Sequence, residues 1–373
     1  TLENGLIELA PGGCVDVAGD VTIRGTSVSG CGLSIPEGWF RCGGNLSIET
    51  GTFTLTGGAT PLAAKDMHWY YGAPEQSWKT VRDELMPQPP MLGPNLNHHF
   101  AGTPYGLCDL ASFAFDNITS DFLVRNYRTL IFAGWNTCSE KQYAILCDYV
   151  KRGGRLVISL PHLSTNRRRN YTDFSRSELV NGGDFSELCG LKVVRRGRPC
   201  YWATGPEMNR RNAAGFIARR RFGIIAVSLG DLEFTGPKEN YERLAVDDEE
   251  LRPIIVRCRS GKGEVFFVNT WCYPSVANAD EGAGEYIGSD GLMTTLYKYV
   301  ASISRGDVYM ASAKGGDLPD KECEYVICSY FPEEKKVYLK NIDFTHPHSF
   351  RLSAFGKWQY VTLDPKEMKI IEL

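Results

Sequence analysis

Two acidic residues in one strand-like segment could supply the chemistry of glycoside hydrolysis. Asp231 and Glu233 lie two positions apart, so an extended backbone would direct both side chains to the same face. Glycosidases need a pair of carboxyl groups, one acting as acid and the other as base or nucleophile. The acidic run 247–250 is instead typical of a solvated helix start, where negative charge is favoured. Asp231 and Glu233 are therefore the candidates for catalysis, while the catalytic residues themselves stay unknown from the sequence.

A second set of residues could bind a sugar. Polar and aromatic side chains follow the predicted strands at 129–133, 155–160 and 264–269, and open α/β sheets bind ligands beyond the carboxyl ends of their strands. An indole ring stacks on the apolar face of a sugar, and amide or imidazole groups bind its hydroxyls. The candidates for ligand binding are Trp135, Asn136, His162, Asn166 and Trp271. The alternative is that these side chains serve the core or a subunit contact, because a buried tryptophan is usually a core residue.

The arginines suggest an acidic ligand, whereas the spacing of the histidines argues against a metal site. Arginines cluster in the segments 167–169, 195–196, 210–211 and 219–221. Their forked guanidinium groups match the carboxylate of an acidic sugar, although arginine is also frequent at subunit interfaces. The close histidine pairs, His98 with His99 and His346 with His348, have no cysteine or acid at ligand spacing. We therefore predict no metal site and no cofactor.

Composition excludes several classes of protein. The 373 residues carry 41 Lys+Arg against 44 Asp+Glu, a formal net charge of −3, so nucleic acid is not a predicted partner. No stretch approaches the roughly 20 apolar residues of a membrane span. The 12 cysteines form no C-x-x-C pair and lie mostly in apolar runs, which predicts buried, reduced thiols. A cytoplasmic location is favoured, with a secreted or periplasmic one as the alternative.

The elements that position these residues change character twice along the chain. Residues 1–66 alternate with period two between glycine-rich turns, which predicts a small antiparallel β-sandwich. Residues 67–103 form a connector with one helix near 75–86 and a proline-rich break. Residues 104–304 alternate strands and helices, and residues 305–373 return to a β pattern that predicts a second small sandwich.

Local signals in the middle block are specific. The apolar run 129–133 precedes a helix that Ser139 opens, with Gln142 at capping-box spacing. Gly153 and Gly154 end that helix before a buried strand at 155–160, so the unit reads as a βαβ crossover with parallel strands. A hairpin turn at 259–263 and an amphipathic helix at 290–303 follow.

The motifs of the middle block resemble those of a known family of domains. The run YRTLIFAGWNTCSEKQYAILCDYVKRGGRLVISLPHLSTN (127–166) and then SGKGEVFFVNTW (260–271) resemble the glutamine-amidotransferase-like domain of glycoside hydrolases. The version they are most similar to is the trimerisation domain that follows the catalytic barrel in certain β-galactosidases. The resemblance implies a flavodoxin-like, class I amidotransferase-like three-layer α/β/α domain. With the flanking segments, the expected fold is multi-domain, α/β plus all-β, with two small β-sandwich domains around that centre.

The chain departs from this family in two respects. Amidotransferases place a nucleophilic cysteine on a tight G-x-C-x-G elbow, whereas the matching strand here runs into Ser159-Leu-Pro-His-Leu163, and Cys138 follows an earlier strand. A catalytic (β/α)₈ barrel needs roughly 200–250 residues, and the residues before 104 read as β. We therefore predict the accessory or oligomerisation portion of a bacterial-type glycoside hydrolase, without amidotransferase chemistry.

Two alternatives stay open. One is a stand-alone module that binds carbohydrate in the strand-end cleft or on a sandwich face, and the other is a small glycosidase that uses Asp231 and Glu233. The expected partners are a carbohydrate, neutral or acidic, and either further copies of the chain or a catalytic barrel.

Overall fold

The computed structural model describes residues 2–3, 6–8, 14–18, 21–24, 32–36, 39–42, 46–48, 52–56, 103–106, 118–132, 137–165, 175–205, 220–221, 227–271 and 292–373. The chain divides into two compact units, Thr1–Tyr70 with Thr165–Phe174 and Tyr71–Ser164 with Ser175–Leu373. The predicted connector helix near 75–86 lies outside the described residues.

The first unit contains eight short strands that pair only in parallel within its described part. They are β1 (Leu2–Glu3), β2 (Leu6–Glu8), β3 (Cys14–Val17), β4 (Val21–Arg24), β5 (Gly32–Pro36), β6 (Trp39–Cys42), β7 (Leu46–Ile48) and β8 (Thr52–Thr56). They stack as β1-β4-β7, β2-β5-β8 and β3-β6. Every third strand returns beside its predecessor in the same direction, as in a parallel β-solenoid.

The predicted antiparallel sandwich for this segment is therefore wrong. Leu2 pairs with Ile23, and Val21 pairs with Leu46, so partners come from successive coils rather than from adjacent strands. Period-two alternation shows that a segment is extended and which side chains share a face. It does not show in which direction the neighbouring strand runs.

The second unit contains a seven-stranded mixed sheet. Its strands are β9 (Thr129–Ile131), β10 (Arg155–Ser159), β13 (Trp202–Thr204), β14 (Arg220–Arg221), β16 (Tyr241–Asp247), β17 (Pro253–Ser260) and β18 (Gly263–Val268). The order is β14-β13-β16-β17-β18-β10-β9. A separate antiparallel sheet joins β11 (Asp184–Phe185), β12 (Leu191–Cys200) and β15 (Val227–Phe234).

The predicted three-layer, flavodoxin-like and amidotransferase-like fold is wrong as well. In the described part of the mixed sheet, only β9, β10 and β18 pair in parallel, whereas β17, β16, β13 and β14 continue the sheet in antiparallel pairs. The described chain is mostly β, in several small sheets. The physical reason is connection length: β16, β17 and β18 follow one another through short turns, and a short turn can join only antiparallel strands.

The local predictions for the parallel part are confirmed. Four α-helices are described, α1 (Ser120–Asn126), α2 (Glu140–Lys151), α3 (Ser186–Cys189) and α4 (Leu292–Ile303). The Ser139 side chain accepts from the Gln142 N–H, and the Gln142 side chain accepts from the Ser139 N–H, which completes the capping box of α2. The parallel pairing of β9 with β10 places α2 in a crossover between them.

The central strand β18 is buried on both faces, which explains its unbroken apolar run. The ring centroid of Phe266 lies 6.0 Å from that of Tyr299 on α4, and the ring centroid of Phe267 lies 6.0 Å from that of Phe185. These consecutive side chains point to opposite faces of the strand. The α4 side of the core contains Leu292, Met293, Leu296, Tyr297 and Val300.

The two glycine motifs of the middle block pack against each other. A Cβ atom at Gly263 would lie 2.2 Å from the carbonyl oxygen of Gly154 and 2.3 Å from that of Val150. The Lys262 N–H donates to the Lys151 carbonyl at 3.0 Å. The end of α2 and the β17–β18 turn therefore touch through their backbones, which only glycine at 263 permits.

Glu264 joins three strands of the sheet through two arginines. Its carboxylate accepts from Arg155 Nε at 2.5 Å and from Arg257 Nε at 2.6 Å. Burial by itself would raise the pKa of Glu264, but the two guanidinium groups outweigh burial and hold this pKa below its ordinary value of 4.5. The stabilisation is complete above pH 4.5 and is lost as the pH falls through the lower folded-state pKa.

We expect Glu264→Gln to lower the free energy of unfolding at pH 7 by about 2 kcal/mol, because two arginines lose a charged acceptor. The difference from the unsubstituted chain should shrink as the pH falls below 4.5 and through the lower folded-state pKa, at which the native carboxylate becomes protonated. Urea unfolding across this pH range measures both effects. Glu324→Gln is the control, since the exposed pair of Glu324 with Lys298 spans 3.4 Å and should contribute little. A pH-independent difference would contradict the assignment.

The C-terminal segment is a β-sandwich, as predicted. Its strands are β19 (Val308–Ser312), β20 (Val326–Phe331), β21 (Lys336–Asn341), β22 (His348–Ala354), β23 (Lys357–Leu363) and β24 (Met368–Glu372). They form the antiparallel sheets β19-β22-β23 and β20-β21-β24. Inward side chains of both sheets, among them Phe350, Leu339 and Val361, share one core.

Two composition-based expectations can be compared with the described residues. The seven cysteines described, at 138, 147, 189, 200, 258, 323 and 328, are buried and free, which confirms the predicted thiols for this part of the chain. Among the helices that the structure describes, none is long and apolar enough to cross a membrane.

Candidate functional site

His162 lies in a buried turn at the end of β10. The turn Leu160–Leu163 begins directly after Ser159, whose N–H donates to His162 Nδ1 at 3.0 Å. The Ser159 hydroxyl lies 2.7 Å from the same nitrogen. A serine–histidine contact can activate a nucleophile. Here both residues are only 1% exposed, and the contact serves to fix the turn.

The end of β18 is also packed. Trp271 is 1% exposed, and its backbone N–H donates to the Ser228 carbonyl at 2.7 Å. The guanidinium of Arg196 lies 5.9 Å from the Trp271 ring centroid. Asn269 Oδ1 accepts from the Gly230 N–H at 3.1 Å, and its Nδ2 donates to the Gly230 carbonyl at 2.8 Å. This buried amide ties β15 to β18.

The structure places His162 and Trp271 in the protein interior and leaves the other three candidates undescribed. Trp135, Asn136 and Asn166 lie outside the described residues. A Cβ atom at Gly230 would lie 2.6 Å from Asn269 Oδ1 and 3.1 Å from Leu160 Cδ1. The described part of the strand-end edge is thus close-packed. The predicted role of these five residues in ligand binding stays a prediction.

The two candidate carboxylates lie on β15, opposite basic residues of β12. Asp231 forms an ion pair with Arg195, with 2.6 Å between Oδ2 and Nε. Glu233 is exposed and stands directly opposite Lys192 in the register of the two strands. Alternate positions on a strand share a face, so the expected common orientation follows from the backbone. The cationic neighbours suit a surface strand pair, and a catalytic role stays a prediction.

The sequence reasoning missed an aromatic face on the C-terminal sandwich. We use this name for the outward side of the sheet β19-β22-β23, formed by Tyr309, Arg351, Trp358 and Tyr360. The register pairs Arg351 with Tyr360 and places Ser353 between Tyr309 and Trp358. Trp358 is 41% exposed and Tyr360 is 70% exposed. The sequence contains a signal for this face. Trp358 and Tyr360 lie two positions apart on one strand and therefore share a face, while Val361 points to the core.

Neighbouring groups hold these rings in place. The Tyr309 and Trp358 ring centroids are 5.5 Å apart in an edge-to-face arrangement, and the guanidinium of Arg351 lies 4.7 Å from the Trp358 ring centroid. The Tyr360 hydroxyl donates to the Ala313 carbonyl. Arg351 Nε donates to the Ser312 carbonyl at 2.9 Å. The aromatic face is therefore ordered while its rings remain open to solvent.

The chain is similar over part of its length to several solved structures. No protein-family model and no curated protein matches the chain. Among solved structures, the GH42 β-galactosidase Gan42B is 14% identical with a TM-score of 0.40, over 68% of this chain and 32% of its own. A β-galactosidase from Bacillus circulans sp. alkalophilus is 15% identical with a TM-score of 0.38, over 65% of this chain and 32% of its own. A cytoplasmic protein from Salmonella typhimurium LT2 is 12% identical with a TM-score of 0.33, over 50% of this chain and 76% of its own.

The chain thus spans about a third of the length of the β-galactosidases it matches. At these TM-scores the similarities carry no argument about what the chain does. Its chemistry has to be inferred from its own residues.

Proposed function

We propose that this chain is an accessory, carbohydrate-binding portion of a glycoside-hydrolase-like protein and that it binds sugar on the aromatic face. The observation that carries the proposal is the Tyr360 ring, which is 70% exposed and yet held by its hydroxyl. Exposed aromatic side chains that form one contiguous patch mark a candidate interaction surface. A ring that is already ordered loses little conformational entropy when a ligand stacks on it.

The chemistry of the aromatic face suits a pyranose. A flat ring offers dispersion contact to the apolar C–H side of the sugar. Ser349 and Thr362, whose hydroxyl oxygens are 2.9 Å apart, lie on the same outward side and can bind sugar hydroxyls. Arg351 adds a donor beside the Trp358 ring.

An accessory role fits the described residues better than a hydrolytic one. Asp231 is engaged by Arg195, and the Ser159–His162 contact is buried. The mixed sheet of the second unit contains three parallel strands in its described part, whereas a catalytic barrel is built from eight. In the same proposal, the block 104–304 contacts either a second copy of the chain or a catalytic barrel.

We expect Tyr360→Ala to weaken binding of the full chain to its preferred neutral polysaccharide about tenfold, since one ordered stacking contact contributes about 1.5 kcal/mol. Affinity electrophoresis against galactan, mannan, xylan and cellulose measures the change. Phe331→Ala is the matched control, because Phe331 is 44% exposed on β20 of the other sheet. Equal retardation of Tyr360→Ala and the unsubstituted chain, or no retardation by any polysaccharide, would contradict the proposal.

A further inference from the structure

A basic cleft lies at the edge of the mixed sheet where the parallel strands begin, opposite the edge at which ligands were expected. Its volume is about 620 Å³, in the range of small-ligand sites. The residues just before or at the start of β9, β10 and β18 line it, together with the ends of α2 and α4. Its basic lining residues are Arg128, Arg152, Arg155, Arg259, Lys262 and Arg305, and its acidic one is Glu264.

The basic groups around the cleft outnumber the carboxylates that pair with them. Arg155 shares Glu264 with Arg257. Arg152 pairs with Asp121 at 2.6 Å and with Asp148 at 3.2 Å, and Arg128 approaches Asp307 at 3.7 Å. Arg257 also pairs with Glu242 at 3.3 Å, so seven basic groups face five carboxylates.

Arg259 and Lys262 carry that excess. Both are exposed, and neither has an acidic partner within ion-pair distance among the residues that the structure describes. Like charges gathered in a concave surface raise the local concentration of anions. The free energy cost of bringing them together is offset when an anion binds.

The backbone that presents these cations is rigid. Gly261 has a φ of +59°, and a Cβ atom there would lie 2.7 Å from Lys151 Cα. The Lys262 N–H is bound to the Lys151 carbonyl. Lys262 and Arg152 are thus displayed from two segments that are locked together, so the basic cleft is formed before any ligand arrives.

Arg305 connects the basic cleft to the aromatic face. Arg305 lines the cleft, and its guanidinium lies 4.5 Å from the ring centroid of Tyr309. Tyr309 in turn contacts Trp358. The two surfaces are therefore in contact through Arg305 and Tyr309.

We propose that the basic cleft binds the carboxylate groups of an acidic oligosaccharide, with Arg259 and Lys262 as its free cations. The sugar part of this inference rests on the proposed function, whereas the anion part rests on the cleft alone. A guanidinium fork matches a planar carboxylate with two parallel hydrogen bonds. Tyr127 also lines the cleft.

The test is isothermal titration of the full chain with trigalacturonate, its fully methyl-esterified form and a sulfated galactan oligosaccharide. The double variant Arg259→Gln, Lys262→Gln is compared with Arg198→Gln, Lys238→Gln, which removes the same two charges from exposed positions elsewhere. We expect the first variant to bind trigalacturonate about tenfold or more weakly and the control to bind it as the unsubstituted chain does. The esterified trimer should bind weakly to all three proteins. Preference for the sulfated oligosaccharide would overturn the carboxylate assignment.

The two proposals fail in different ways. If Tyr360→Ala abolishes polysaccharide binding but the Arg259, Lys262 variant binds trigalacturonate normally, the basic cleft is overturned and the proposed function stands. If the Arg259, Lys262 variant loses trigalacturonate while Tyr360→Ala changes nothing, the cleft is supported and the aromatic face is overturned. Absence of trigalacturonate binding by the unsubstituted chain overturns the cleft proposal directly.

Discussion

Trp271→Ala is expected to lower the free energy of unfolding by about 4 kcal/mol. The side chain is 1% exposed, and removing a buried indole forfeits its transfer free energy and leaves a cavity in a region where Gly230 and Asn269 are already in contact. Thermal and urea unfolding of the full chain measure this loss.

A second tryptophan provides the control for that experiment. Trp358 is 41% exposed, so Trp358→Ala should cost less than about 1 kcal/mol of stability. If Trp271→Ala leaves stability unchanged and instead weakens sugar binding, then the sequence-based assignment of Trp271 to a ligand site is right and its reading as a core residue is wrong.

Gly263→Ala is expected to destabilise the chain by about 3 kcal/mol. The added methyl group would overlap the Gly154 and Val150 carbonyl oxygens, at 2.2 and 2.3 Å. Backbone atoms cannot rotate away as a flexible side chain can, so α2 and the β17–β18 turn must separate. Part of the Lys262 to Lys151 hydrogen bond would be lost with them.

The matched control for Gly263→Ala is Gly306→Ala. A Cβ atom at Gly306 would meet its nearest neighbour, the Val308 carbonyl oxygen, at 3.9 Å, which is ordinary contact. Chemical denaturation should therefore show a large loss for Gly263→Ala and a change near zero for Gly306→Ala. Equal stability of the two variants would show that α2 and the turn are not held by backbone contact.

The positions of the two glycine motifs could be predicted from the sequence, but the contact between them could not. The double glycine was predicted to end α2, and residues 259–263 were predicted to form a hairpin turn. Both predictions are confirmed. What the pattern did not contain is that Gly263 lies against Gly154. That contact joins segments more than a hundred residues apart, and no local propensity encodes it.

The exposure of the candidate site residues also depends on contacts between distant segments. His162 and Trp271 were assigned to a ligand because polar and aromatic residues follow strands, yet their exposure depends on which segments cover them. The exposure of Tyr360 likewise depends on the outward face of β23 having no covering layer in the described residues. Charge shows the same effect, because the arginines of the basic cleft are scattered between positions 128 and 305, and no single segment of the sequence identifies the cleft.

The sequence by itself determined the capping box of α2, the glycines that follow this helix and the buried strands β10 and β18. These properties follow from neighbours a few residues away, through side-chain alternation and backbone hydrogen bonding. Only the tertiary structure decided that the first strands stack in parallel coils, that four strands of the mixed sheet run antiparallel, and that Arg259 and Lys262 meet Arg305 at one cleft. Strand direction and side-chain exposure depend on contacts between distant segments, and the free energy of those contacts is shared across the whole unit rather than held in any one of its motifs.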